Sequence, residues 1–334
     1  MRLGELGEFG LIARIADAVG MAQRPVVVGI GDDAAVLEAL SDSYLLVTTD
    51  ACLEGQHFRR QWLTAEQIGR RAAGAALSDI AAMGGKALAV FVSAGLPPTE
   101  EAAFAEQIIC AIHETATEYG ATLAGGDTFA SAQGICLDVV VIGQVQQPWL
   151  RSTAQPGDVL LVTGTLGEAA AALHLLEAGS VSHADGLPPA LRRRFVRPIP
   201  RFAVARCLQQ LSQTPCAIDI SDGLVQDAAH IAEASGVALT IQASRLPIAE
   251  ACREVAVEVD ADLLRWALTS GEEYELLLAV PRSLVEPACA LVKPEGVRLT
   301  EIGFVTAGEG VVVVDAEEKA IKLDSTGWNH FISR

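Results

Sequence analysis

Seven aspartates, and no glutamate, sit where apolar segments of this chain run out. Asp32 and Asp33 fall in Gly29-Ile30-Gly31-Asp32-Asp33-Ala34, and Asp50 closes Thr48-Thr49-Asp50. Asp79 lies near the end of the first long predicted helix, in Leu77-Ser78-Asp79-Ile80-Ala81-Ala82-Met83-Gly84, and Asp127 follows Gly125-Gly126. Asp219 and Asp222 share Ile218-Asp219-Ile220-Ser221-Asp222-Gly223. One strand-end aspartate is ordinarily a turn or a helix cap. Seven in one pattern ask for more, because a buried, unpaired carboxylate costs several kcal/mol and needs a cation. The chain has four lysines, and its twenty arginines mostly lie elsewhere in sequence. A divalent metal is the natural partner, and hard oxygen ligands suit Mg²⁺, which shares its shell with substrate phosphates. The hydroxyls of Thr48 and Thr49 add oxygens. A chain built this way must bring strand and helix ends from both of its halves to one place.

The order of segments is compatible with that demand. Val26-Val27-Val28-Gly29-Ile30 and Leu45-Leu46-Val47-Thr48-Thr49 read as strands. Thr64-Ala65-Glu66-Gln67 is a capping-box start to a helix that runs to about Met83 and closes on Gly84-Gly85. A strand over 88–95, a helix from Pro97-Pro98-Thr99 to about Tyr119, and strands over 121–124 and 135–145 follow. This succession predicts an α/β (α+β) sandwich with a mixed or antiparallel sheet. Around 146–158 the texture turns polar and proline-bearing, which sets a boundary between domains 1–148 and 149–334. The second half predicts strands at 159–163, 216–220, 237–241 and 274–280, helices over 167–178 and from Asp222, and a closing β-rich segment to about Leu323. Residues 180–200, with Arg192-Arg193-Arg194, read as a surface excursion with a solvated basic face.

Composition excludes several functions. A net charge of −18 and a pI near 4.7 argue against nucleic acid or an anionic membrane as partner. No apolar run approaches the ~18–20 residues of a spanning helix, and acids stand where a signal peptide would be apolar, so a cytoplasmic location is expected. The seven cysteines are scattered without a C-x-x-C pair, against zinc. Gly29-x-Gly31-x-x-Ala34 matches a loose dinucleotide fingerprint, but two aspartates inside the loop would repel a pyrophosphate. Neither a Walker A loop nor a G-x-S-x-G elbow is present. Phosphoryl chemistry without a P-loop proceeds by positioning and charge neutralisation, with glycines admitting backbone close to phosphates. Arg151, in the linker, is placed to offer a forked donor to a phosphate.

Six motifs in order resemble the thiamine-monophosphate kinases of the aminoimidazole-ribotide synthetase-like (PurM-like) superfamily. They are Gly29–Ala35, Thr49-Asp50 with Gly55-Gln56-His57-Phe58, Leu77–Gly84, Gly125–Thr128, Ile218–Leu224 and Gly271-Glu272-Glu273-Tyr274-Glu275-Leu276. The similarity runs from about Glu8 to Gly327-Trp328-Asn329-His330-Phe331. The resemblance implies transfer of the ATP γ-phosphoryl to thiamine monophosphate, giving thiamine diphosphate. It implies a two-domain fold whose N-terminal domain pairs with its copy in a homodimer, strands joining across the interface. It assigns several Mg²⁺ ions to Asp33, Thr48, Thr49, Asp50, Asp79, Asp127, Asp219 and Asp222. It assigns ATP to Gly126, Asp127, Arg151 and Ser221, and the thiamine substrate to His57, Glu272 and Trp328. No residue is assigned as a general base, since the acceptor phosphate is already ionised. Relatives that phosphorylate an amide or formyl oxygen are the nearest alternative. Selenophosphate synthetase would want Cys or Sec with Lys before Gly31, and the hydrogenase-maturation dehydratase a C-terminal Cys; this chain has neither. A non-catalytic nucleotide sensor is opposed by intact acids at every motif.

Overall fold

The computed structural model describes residues 12, 26–28, 31–39 and 42–328. Gly29, Ile30, the start of the chain and Asn329-His330-Phe331 lie outside the described residues.

The first half is a six-stranded sheet built from β1 (Val26–Val28), β2 (Ala35–Glu38), β3 (Tyr44–Leu53), β4 (Lys86–Leu96), β5 (Thr122–Ala130) and β6 (Cys136–Val145). Its order is β1-β2-β3-β6-β4-β5. All neighbours are antiparallel except β4 and β5, so the sheet is mixed as expected. Helices α1 (Ala65–Ala82) and α2 (Ala102–Glu118) belong to this half. The capping box is present: the N–H of Gln67 donates to Thr64 Oγ1 at 3.2 Å, and that of Thr64 to Gln67 Oε1 at 3.1 Å. α1 is rich in Ala and Gly because most of its surface is packed, fourteen of its eighteen residues being buried. A Cβ on Gly69 would stand 2.3 Å from the Ile108 carbonyl oxygen of α2, and one on Gly84 would strike the Trp149 ring. That close packing holds the last turn of α1, with Ser78 and Asp79, against the second half.

The second sheet contains β7 (Asp158–Thr163), β8 (Cys216–Asp219), β9 (Ala238–Gln242), β10 (Leu276–Pro281), β11 (Leu299–Thr306) and β12 (Gly310–Val314). Its order is β12-β9-β11-β7-β10-β8, with only β12 and β9 parallel. Its helices are α3 (Glu168–Glu177), α4 (Pro189–Val196), α5 (Phe202–Leu208), α6 (Leu224–Ser235), α7 (Glu250–Val259), α8 (Leu263–Thr269) and α9 (Val285–Val292). β7 and β10 are buried nearly throughout, as central strands covered on both faces must be. Residues of α3, α4 and α7 share one apolar core with α1 and the first sheet, which locks the halves together. Among the described residues no helix is long and apolar enough to cross a membrane.

Three expectations need correction. β5 runs to Ala130 rather than Ala124, because Gly125-Gly126 continue in parallel register beside β4 instead of turning. The strand expected over 274–280 starts at Leu276, since Glu272 and Tyr274 take positive φ. The basic excursion is not wholly solvated: Arg192 and Arg193 are exposed, but Arg194 is buried beside Leu191 and Phe195.

Candidate active site

Three aspartates from distant parts of the chain converge. Asp33 precedes β2, Asp79 ends α1, and Asp219 ends β8; carboxylate oxygens of the three lie within 4.8 Å of one another. Hydroxyls steady two of them: Thr48 Oγ1 donates to Asp79 Oδ2 at 2.5 Å, and Ser78 Oγ to Asp219 Oδ2 at 2.6 Å. Arg151 reaches Asp33 Oδ1 through Nη2 at 2.5 Å and gives its backbone N–H to Asp32 Oδ2 at 3.3 Å. Asp33 Oδ2 is buried with no hydrogen-bond partner.

These acids resist ionisation. Burial, then the neighbouring carboxylates of Asp219, Asp33 and Asp50, push Asp79 well above the usual range. Burial and then Asp33 raise Asp219 to about 7, and burial followed by Glu272, Asp138 and Asp222 raises Asp50 to about 7. Asp32 is lifted to about 6, first by burial and then by Asp33. One guanidinium does not offset so many carboxylates. The orphaned Asp33 oxygen and the all-oxygen donor set fit a hard divalent cation.

The acids open onto a cleft of about 1270 Å³ between the two halves. Thr49, Asp50, Asp79, Asp219, Ser221 and Asp222 line it, together with His57, Glu272 and Trp328. Nine of the fourteen residues singled out from sequence therefore meet here. Asp33 and Thr48 stand just behind, bound to Asp79 or grouped with it, and Arg151 is joined to Asp33. Gly126 and Asp127 do not line the cleft. Asp127 is exposed on β5, opposite Ser93, which faces Asp138, which faces Ala51. Three inter-strand steps, roughly 14 Å, separate it from the end of β3.

The substrate-facing residues are held by backbone geometry. Leu53 N–H donates to His57 Nδ1 at 3.0 Å, which leaves the proton of a neutral ring on Nε2. Trp328 N–H bonds the Asp222 carbonyl at 3.0 Å, and Gln226 Nε2 bonds the Trp328 carbonyl at 2.9 Å. The Gly271–Tyr274 segment lies against the Asp219–Asp222 loop through Glu272 N–H to Ser221 O and Tyr274 N–H to Ile220 O. Gly271 has no alternative there, since a Cβ would come within 2.1 Å of Ser221 O.

Sequence reasoning missed two residues. Asp227, in the first turn of α6, accepts the N–H groups of Ser221, Asp222 and Gly223 at 3.1, 3.2 and 3.0 Å, fixing the loop that carries two site residues. An acid four residues after Gly223 at a helix start was the available signal. Arg71 is buried on α1; its Nη2 donates to Glu272 Oε1 at 2.6 Å and to the His57 carbonyl at 3.3 Å, while Nη1 bonds the Phe195 carbonyl. Its guanidinium lies over the Phe195 ring at 4.6 Å. The signal was a charge on the buried side of an Ala-rich helix, beside the outward Arg70, which pairs with Glu66, Glu114 and Glu118.

The motif Glu272–Glu275 also divides its labour. Glu272 meets Arg71, whereas Glu273 accepts the N–H of Gly167 at 2.7 Å at the start of α3. Glu275 clamps Arg194 and Arg201.

Known proteins share this fold. Residues 31–145 match the AIR synthase related protein N-terminal domain, and residues 155–316 the AIR synthase related protein C-terminal domain. The chain is 34% identical over 331 residues to the thiamine-monophosphate kinase of Aquifex aeolicus (strain VF5), covering 99% of this chain and 100% of that one. It is 35% identical over 334 residues to the thiamine-monophosphate kinase of Escherichia coli (strain K12), covering 97% and 98%. The solved structure "AaThiL complexed with AMPPCP and TMP" matches with a TM-score of 0.85 at 33% identity, over 99% of both chains.

Proposed function

Because this chain belongs to the thiamine-monophosphate kinase family, within the AIR synthase related proteins, we propose that its cleft transfers the γ-phosphoryl of ATP to the phosphate of thiamine monophosphate. The products are thiamine diphosphate and ADP. The observation that carries this reading is the meeting, in one cleft, of a buried aspartate cluster with His57, Glu272 and Trp328. A relative whose solved complex contains AMPPCP, an ATP analogue, together with TMP supports it.

The acceptor is a phosphate oxygen that is ionised at neutral pH, so a general base has little to do. The barrier is repulsion between two anions. Asp33, Asp50, Asp79, Asp219 and Asp222 would hold Mg²⁺, with Thr48 and Thr49 adding hydroxyl oxygens. Bound Mg²⁺ supplies charge neutralisation at the phosphates and a fixed orientation for in-line transfer. Arg151 is committed to Asp33 in the protein alone; once Asp33 is otherwise engaged, Nη2 can turn to an ATP phosphate. The N–H groups of the Ser221–Gly223 loop are taken by Asp227, so Ser221 would meet ATP through its hydroxyl. At the other end, Arg71 takes one oxygen of Glu272 and leaves the second for the positive thiazolium. Trp328 offers that flat cation an aromatic face.

The homodimer expected from the family and the ATP contacts expected of Gly126 and Asp127 form a single reading. Among the described residues β5 is an edge strand, and Phe129 on it is exposed. An unpaired apolar edge is a ready template for a second strand. Pairing of two copies along it would bring the Gly126-Asp127 stretch of one toward the cleft of the other. A domain boundary at 148/149 and a cytoplasmic location complete the reading; seven free cysteines support a reducing compartment.

The test is direct. Purified protein is mixed with ATP, MgCl₂ and thiamine monophosphate, with free thiamine as control acceptor, and the products are chromatographed. Thiamine diphosphate should form from the monophosphate alone. ATP turnover without any diphosphate would move the assignment to the amide-activating relatives.

A further inference from the structure

A second cavity, of about 460 Å³, opens in the C-terminal half and is lined by none of the residues that line the cleft. Four guanidiniums line it: Arg193 and Arg194 of α4, Arg201 just before α5, and Arg298 just before β11. Such a gathering runs against the net charge of −18. Arg194 and Arg201 are largely buried and share one carboxylate. Arg194 Nη2 lies 2.5 Å from Glu275 Oε1, and Arg201 Nε lies 2.6 Å from Glu275 Oε2. Arg194 also approaches Glu168 at 3.4 Å. Arg193 and Arg298 are exposed and make no ion pair among the described residues. Glu273 stands 3.9 Å from Arg194 Nε, and burial pushes its carboxyl up to about 8. The carboxylates of Glu168, Glu273 and Glu275 all lie on Arg194 and Arg201, so Arg193 and Arg298 face the cavity without a carboxylate partner, while Ile199 and Ile248 supply an apolar wall.

We propose that this pocket binds a small phosphorylated molecule at a site separate from the cleft, its phosphate between Arg193 and Arg298 and its apolar part against Ile199 and Ile248. The volume falls within the ~300–1,000 Å³ of small-molecule sites, and the guanidinium fork matches a phosphate in shape and charge. An uncompensated positive patch with an apolar wall selects against bare chloride and against neutral ligands.

The pocket shares a wall with the cleft. Along 272–275, Glu272 and Tyr274 line the cleft, while Glu275 holds the two arginines of the pocket. On α4, Phe195 lines the cleft and Arg193 and Arg194 the pocket. A phosphate that draws on Arg194 or Arg201 loosens their hold on Glu275, and so the segment carrying Glu272. Occupancy should then weaken binding at the Glu272 end of the cleft.

Phenyl phosphate is a suitable probe, with phenol as its uncharged control. Calorimetric titration is run on the full chain with AMPPCP, Mg²⁺ and thiamine monophosphate saturating the cleft. The expected result is one phenyl phosphate per chain, at least about tenfold weaker in the double variant Arg193→Ala/Arg298→Ala. Both residues are exposed and outside the cleft, so the variant should fold and keep its kinase turnover without the probe. In the wild type, but not in the variant, phenyl phosphate should raise the KM for thiamine monophosphate by roughly fivefold. No binding with the cleft saturated, or equal binding by phenol or by the double variant, would overturn the site. Binding with an unchanged KM would overturn the shared-wall coupling. Because the titration reads heat and not turnover, it separates failure of this site from failure of the kinase assignment.

Discussion

At the scale of single residues, Arg71 ties three parts of the chain together from a buried position. It joins Glu272 from the C-terminal half, the His57 carbonyl from the N-terminal half, and the Phe195 carbonyl of α4. Arg71→Ala removes all three bonds and leaves Glu272 without its cation, a loss on the order of 2–3 kcal/mol in stability once the partial exposure of Glu272 is allowed for. The larger effect should be on the thiamine end of the cleft. KM for thiamine monophosphate should rise about 10–100-fold in Arg71→Ala while kcat and the KM for ATP change far less. Arg71→Lys restores the charge but not the fork, so it should recover part of that loss. Equal effects on both KM values would reduce Arg71 to a packing residue. Asp50 stands at the opposite extreme, in the acid cluster itself. Asp50→Asn should cut kcat by at least about 100-fold while the melting transition stays cooperative. Near-normal turnover would remove the aspartate scaffold from the mechanism.

At the scale of elements, β3, the last turn of α1 and the end of β8 deliver acids to one cleft, and that convergence has a pH signature. Asp50 and Asp219 have folded pKa values of about 7, above the usual carboxylate range. Between about pH 4 and 7 the folded protein retains protons that the unfolded chain has released. The stability these groups contribute is present at low pH and is lost as pH rises toward 7. Mg²⁺ binds the ionised ligands, so its stabilising increment should grow over the same interval. A site occupied at about a hundred times its Kd gains about 2.7 kcal/mol, which corresponds to a Tm rise of roughly 4 °C for a chain of this size. Thermal melts with and without MgCl₂ at pH 5.5 and 7.5 measure this, and Asp79→Asn should flatten the difference. An increment independent of pH would separate the cation from these carboxylates. Much of this geometry was legible beforehand. The capping box at Thr64 sets where α1 starts, and so the phase that puts Ser78 and Asp79 at its buried end. The reach of β5 was not legible, because Gly125-Gly126 is a turn signal locally and becomes strand only through its pairing with β4. Nor was the burial of Arg194 visible, since a run of three arginines looks solvated until Glu275, eighty-one residues later, is known to meet it. Long-range pairing decides both cases, and no local propensity encodes it.

At the scale of the whole molecule, a single chain assembles every expected acid of the site except Asp127, which waits at the exposed edge of the first sheet. If two copies join along that edge, each cleft uses its own Asp50 and the Asp127 of its partner. This arrangement can be separated from one in which both act within a chain by mixing two inactive variants. Asp50→Asn and Asp127→Asn are purified apart, mixed in equal amounts, and exchanged through mild denaturant. In a mixed two-fold dimer with the residues acting across the interface, one cleft has both defects and the other has none. Random exchange then restores about a quarter of wild-type turnover. With both residues acting in the same chain, every cleft of the mixed dimer is damaged and no activity returns. Light scattering of the wild type should give twice the mass of one chain, and Phe129→Asp, on the exposed face of β5, should lower that mass. Loss of the dimer with kinetics untouched would leave the Gly126-Asp127 edge outside the site altogether, since an assembly that supplies a ligand cannot be dissolved without cost to turnover.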